Sequence, residues 1–125
     1  MKKKLLIIPW LLYSGFIFIL SSYELDRLPK LTILGWDKVI HMVEFAIYSF
    51  LAAIAVEVIR DRNYIINTIF TAFIITALFG ASDEIHQYFV AGRSASIFDF
   101  IADLLGGIIG LIFFQKSKIS DKLSH

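Results

Sequence analysis

The chain contains no cysteine, which excludes a disulfide framework, a thiolate metal site and a cysteine nucleophile. Charge is also scarce: 18% of its residues are Asp, Glu, Lys or Arg, against about 25% in an average soluble domain. Proline occurs only twice, and no Pro/Ser-rich linker, low-complexity tract or repeat of about 20–50 residues divides the chain. A single domain over residues 1–125 is expected. No His-Glu-x-x-His helix, Gly-x-Ser-x-Gly elbow, phosphate loop or dinucleotide fingerprint is present, so the enzyme classes marked by those motifs are not indicated. The basic residues form short flanks to apolar runs, which argues against a nucleic-acid partner.

What the chain has in quantity is apolar surface: 58% hydrophobic residues and a mean hydropathy of +0.73. Leu5 to Tyr23 and Asn63 to Ser82 carry no charge, and each is about as long as the ~20 residues needed to cross a bilayer core. Val39 to Val56 is apolar apart from His41 and Glu44, and Ser96 to Phe114 apart from Asp99 and Asp103. The runs lack strict alternation, and four strands could not close a barrel in lipid. The expected fold is therefore all-α: a polytopic membrane protein with transmembrane helices at about 5–23, 38–59, 64–88 and 96–115, packed as a small bundle with the lipid bilayer as partner.

Lys and Arg set the expected orientation. Lys2, Lys3 and Lys4 precede the first span, Arg60 and Arg62 separate the second and third, and Lys116, Lys118 and Lys122 follow the fourth. The other loops hold only Arg27, Lys30, Lys38 and Arg93. The positive-inside rule then places both termini in the cytoplasm; the expected location is the cell (plasma) membrane. No A-x-A-like cleavage site follows Leu20, so the first span is expected to be an uncleaved anchor. Tyr23 and Trp36 suit the outer interface.

With that topology the polar residues gather on the external side. Asp37, His41 and Glu44 open span two, Asp83, Glu84, His86 and Gln87 close span three, Arg93 lies in the turn, and Ser96, Asp99 and Asp103 open span four. Glu44 and Asp103 are deepest, roughly 8 Å and 10 Å along their helices at ~1.5 Å per residue. Positions 37, 41 and 44 form one helical stripe, and Asp83 has His86 and Gln87 as i+3 and i+4 neighbours. Asp99 and Asp103 share a face with Gly106, Gly107 and Gly110, a small-residue stripe that admits close approach by another helix of the chain or by a second copy through Gly106 and Gly110.

Ionisable groups at the centre of a membrane helix cost roughly 2.5–3.5 kcal/mol each on insertion scales. Six carboxylates (Asp37, Glu44, Asp83, Glu84, Asp99, Asp103) face only Lys38 and Arg93, plus two histidines, so all six cannot be ionised unaided. A proton, a metal ion or a cationic ligand must offset the surplus. His41, Glu44, Asp83, His86 and Asp99 are candidate ligands for a divalent cation, since imidazole and carboxylate suit zinc or manganese. Glu44, Glu84, His86 and Asp103 are candidate acid/base groups. Plainer roles compete with these: Ser96-x-x-Asp99 fits a capping box, Asp37 fits an N-cap, Gly92 a left-handed turn, and the histidines hydrogen-bonded interface positions. Glu57, Arg60 and Asp61 read as a solvated cytoplasmic turn.

The chain resembles the VanZ-like family, named for an accessory glycopeptide (teicoplanin) resistance protein of Gram-positive bacteria. The likeness runs from Phe18-Ile-Leu-Ser21-Ser22 through Asp37-Lys38-x-x-His41-x-x-Glu44-Phe45 and Asp83-Glu84-x-His86-Gln87-x-Phe89 to Gly92-Arg93-Ser-Ala-Ser96, Asp99, Asp103 and Leu105-Gly106-Gly107-x-x-Gly110. Family patterns usually show Pro before the Gly-Arg pair and Asn at the second polar position of span four, where this chain has Ala91 and Asp103. The resemblance implies a role in the cell envelope or in antibiotic tolerance and implies no settled reaction. Three readings follow. The external acidic pocket binds a group of a glycopeptide, envelope lipid or cation; or it performs metal-assisted hydrolysis or transfer on a lipid-linked substrate, with Arg93 holding phosphate or carboxylate; or it only pairs helix ends. Proton-coupled transport ranks last, since the cytoplasmic halves of spans two and four lack ionisable residues.

Overall fold

A computed structural model describes residues 2–23, 35–60 and 64–124. Arg27, Lys30, Asp61 and Arg62, used above, lie outside the described residues. A short 3-10 turn, Lys2–Ile7, leads into α1 (Ile8–Ser21), followed by α2 (Trp36–Arg60), α3 (Ile65–Phe89) and α4 (Ile97–Leu123). All the regular elements among the described residues are helical, and all four helical segments are long and apolar enough to cross a membrane. Pro9 sits in the first turn of α1, where its missing N–H breaks no intrahelical bond. Gly35, at φ 99°, precedes α2 and accepts the Val39 N–H at 3.1 Å. Gly92, at φ 74°, supplies the left-handed residue expected of the α3–α4 turn.

Seven of the eight helix ends lie within three residues of those expected, but α4 continues to Leu123 instead of stopping near 115. Hydropathy reports the thickness of lipid, not the end of a helix. The 27 residues of α4 span ~40 Å against a core of ~30 Å, so the last turns project beyond it. Lys118 steadies them through Glu57 Oε2 at 2.6 Å and by lying 5.6 Å from the Phe114 ring centre.

The interior is built on α2. Phe45, Tyr48, Ala52 and Ala53 are almost wholly buried, and Tyr48 stacks on Phe79 of α3 with ring centres 4.4 Å apart. Outward-facing Leu12, Ile66, Phe70, Leu78 and Phe113 are each more than 60% exposed, a surface suited to lipid chains and unsuited to water. Contacts between Met42 and Gly106 and between Ala46 and Gly110 show that α2 and α4 run parallel in close contact. The glycine stripe, open in the sequence to a neighbour or a second copy, is filled by α2 of the same chain. A Cβ on Gly106 would lie 2.1 Å from Met42 O, and one on Gly110 would lie 2.0 Å from Ala46 O. Small residues give such contact its van der Waals gain where lipid supplies no hydrophobic drive between helices. Ser49 Oγ adds a 2.9 Å hydrogen bond to Gly107 O across the same seam.

Candidate functional site

Because α2 and α4 are parallel, their N-terminal ends lie at one end of the bundle, and contacts from α3 bring its C-terminal end there too. Three polar links form. Lys38 Nζ bridges Asp37 Oδ2 and Asp99 Oδ1, each at 2.7 Å. His41 Nδ1 meets Asp103 Oδ1 at 2.9 Å, with the aspartate side chain 1% exposed and the imidazole 12%. Ser96 N–H donates to Glu84 Oε2 at 2.7 Å, which ties α3 to the start of α4 and sets a carboxylate at the positive end of a helix.

Ser96 therefore does not cap with its side chain. It stands at the N-cap by backbone, accepting the Asp99 and Phe100 N–H groups at 3.1 Å, but its hydroxyl makes no cap bond. Glu84 takes its amide, and Asp99 turns to Lys38 instead of reaching back as a capping box requires. Asp37 is likewise not an N-cap: it lies in the first turn of α2 and pairs with Lys38.

A second polar group forms beside the first, and the sequence expectation omitted its α1 half. Asp83 accepts from Ser21 Oγ on one oxygen and from Gln87 Nε2 at 2.8 Å on the other. His86 Nε2 lies 2.9 Å from Ser22 Oγ, and Phe18 stacks on its ring at 4.3 Å. These contacts latch α1 to α3. The adjacent hydroxyls ending an otherwise apolar span were the signal that could have revealed them.

The division redraws the candidate ligand set. One ligand atom each from His41, Glu84 and Asp99 lies within 4.8 Å of the others. Asp83 and His86 are engaged in the latch and fall outside this trio, as does Glu44, which is partly buried and forms no hydrogen bond or ion pair among the described residues. Glu84, expected as an acid/base group, is the carboxylate that joins His41 and Asp99. Buried polar atoms without a hydrogen-bond partner among the described residues include Glu84 Oε1, Asp103 Oδ2 and Arg93 Nε. Asp103 fits because it faces Gly80, where a Cβ would stand 3.3 Å from Oδ2. Buried polar atoms normally find partners, and leaving one unpaired costs about 1–3 kcal/mol. Two such carboxylate oxygens at one end of the bundle have the chemistry to take up a proton, a cation or a hydrogen-bond donor.

Fold and cluster together define a multi-pass α-helical membrane protein with an acidic, histidine-containing site at one end of its bundle. The chain belongs to the VanZ/LLP1 family, whose profile matches residues 4–118. The matched segment includes every residue of the cluster. No curated protein and no solved structure matches the chain.

Proposed function

We propose that this VanZ-family protein acts in the bacterial plasma membrane, with both termini cytoplasmic, and contributes to glycopeptide tolerance by binding an envelope ligand. The ligand, a glycopeptide or a lipid-linked precursor, enters the acidic cluster from the external side. The observation that carries this reading is the pair of unpartnered buried carboxylate oxygens, Glu84 Oε1 and Asp103 Oδ2, in a site where carboxylates outnumber cations. Arg93, with its own buried unpartnered Nε, suits an anionic group of the same ligand. The flanking lysines and arginines support the orientation.

The test is complementation in cells where deletion alters teicoplanin susceptibility. Glu84→Ala, Asp99→Ala and His41→Ala should each return susceptibility to the deletion level while the protein remains in the membrane. Wild-type susceptibility in all three would overturn the site assignment. A second reading, hydrolysis or transfer on a lipid-linked envelope substrate, is favoured by the His41–Asp103 pair, because a base held by a buried carboxylate is the arrangement of an oriented proton acceptor. It requires a His41-dependent product in lipid extracts, and intact tolerance without such a product leaves the binding reading.

A further inference from the structure

The three residues brought together at the bundle end share a pattern. In each, a partner in the protein already holds one polar atom. Asp103 takes His41 Nδ1, Ser96 N–H takes Glu84 Oε2, and Lys38 takes Asp99 Oδ1. Each therefore keeps a second polar atom outside these bonds: Nε2 of His41, Oε1 of Glu84 and Oδ2 of Asp99. Glu84 is 8% exposed, and its Oε1 has no partner among the described residues. Donor atoms held from behind in this way are what metal ligands need, because the outer hydrogen bond fixes the tautomer of a histidine and the rotamer of a carboxylate.

We propose that His41, Glu84 and Asp99 are the protein ligands of a divalent first-row metal ion, zinc or manganese, with Asp103 as the positioning residue behind His41. This adds a resident ion to the ligand site of the proposed function and rests on that reading only for its use of the same cluster. One imidazole and two carboxylates are a ligand set those ions accept. The two carboxylates match the charge of a divalent ion, which reduces the negative surplus that Lys38 and Arg93 leave. A tetrahedral ion ~2.0–2.2 Å from each donor would set the donors roughly 3.4 Å apart, so from the present limit of 4.8 Å only a small closure is needed. Three protein ligands leave a further position for water or for an oxygen of the envelope ligand. Access runs past Lys38, whose side chain is 39% exposed, to Asp99 at 13%.

The full chain, purified in detergent, stripped with chelator and dialysed against Zn²⁺, Mn²⁺ or Co²⁺ alone, should hold one equivalent of metal per chain by elemental analysis. His41→Ala and Glu84→Gln should lose stoichiometric metal, and Asp99→Asn supplies a third ligand variant should either of these fail to elute as a single folded species. Asp103→Asn should keep the one-to-one stoichiometry, weaken binding about 10–100-fold, and alter the visible Co²⁺ spectrum, which a residue acting only on stability would leave unchanged. Glu57→Gln, in the pair with Lys118, should bind as the wild type does. Wild-type protein without stoichiometric metal, or binding that survives both His41→Ala and Glu84→Gln, would overturn the metal site. If the wild type holds no metal and Glu84→Ala still abolishes tolerance, the metal fails and the envelope-ligand reading stands.

Discussion

Gly110→Ala should leave α2 and α4 unable to close, with a loss of about 3 kcal/mol or more in unfolding free energy. Inserting a methylene into a tight core typically costs about 1–3 kcal/mol, and here the obstacle is worse than a flexible side chain. The new Cβ would lie 2.0 Å from Ala46 O and 2.2 Å from Ser49 Oγ. A backbone carbonyl cannot swing aside, so the helices must separate. Separation breaks the Ser49–Gly107 hydrogen bond and loosens the His41–Asp103 pair one to two turns away. The comparison variant is Gly15→Ala, where a Cβ meets nothing within 4 Å and the gain in helix propensity is up to about 1 kcal/mol. Denaturant or thermal unfolding of both variants in the same detergent measures the difference. Equal stability would mean that the two helices do not touch at Gly110.

Asp103→Ala is expected to cost both stability and tolerance. The aspartate side chain is 1% exposed and its histidine partner 12%, so water cannot replace the lost acceptor at Nδ1. Orphaning a neutral buried donor costs about 1–3 kcal/mol, and stranding a charged imidazole about 3–5 kcal/mol. Asp103→Asn keeps an acceptor oxygen facing the ring, so it should be the milder change by about 1 kcal/mol or more. The two variants, compared by unfolding and by the susceptibility assay, separate the hydrogen bond from the charge. An Asp103→Ala protein as stable as wild type would contradict the buried pair.

The architecture was legible because the charge-free runs admit no other solution: twenty apolar residues without turn signals can be satisfied in lipid only as helix. The gathering of polar residues followed from their clustering at helix ends, and His41 of the expected stripe does meet α4, at Asp103, whereas Asp37, among the described residues, pairs only with Lys38. The pairing of individual groups did not follow. In a soluble bundle an amphipathic face fixes which way each helix is turned, whereas helices bathed in lipid are apolar all round. Hydropathy therefore could not say that His41 meets Asp103 while Glu44, three residues on, has no hydrogen-bond or ion-pair partner among the described residues. Nor could it say that Ser21 and Ser22 bind Asp83 and His86. The glycines of α4 did carry that information, since a face without side chains must be the face another helix occupies.

Where α2 meets α4 at Met42–Gly106 and Ala46–Gly110, the surfaces in contact are peptide groups, the least compressible parts of the chain. His41, Asp99 and Asp103 sit immediately beyond, on the same two helices. They form the fixed jaw of a vice, its opening set below by atoms that cannot yield. Glu84 is the other jaw, carried by α3 and held to α4 through one amide beyond the Gly92 turn. Any widening of this gap would therefore have to come from α3, which is held across it by the Ser96 N–H to Glu84 Oε2 hydrogen bond and on its far side by the latch to Ser21 and Ser22 of α1.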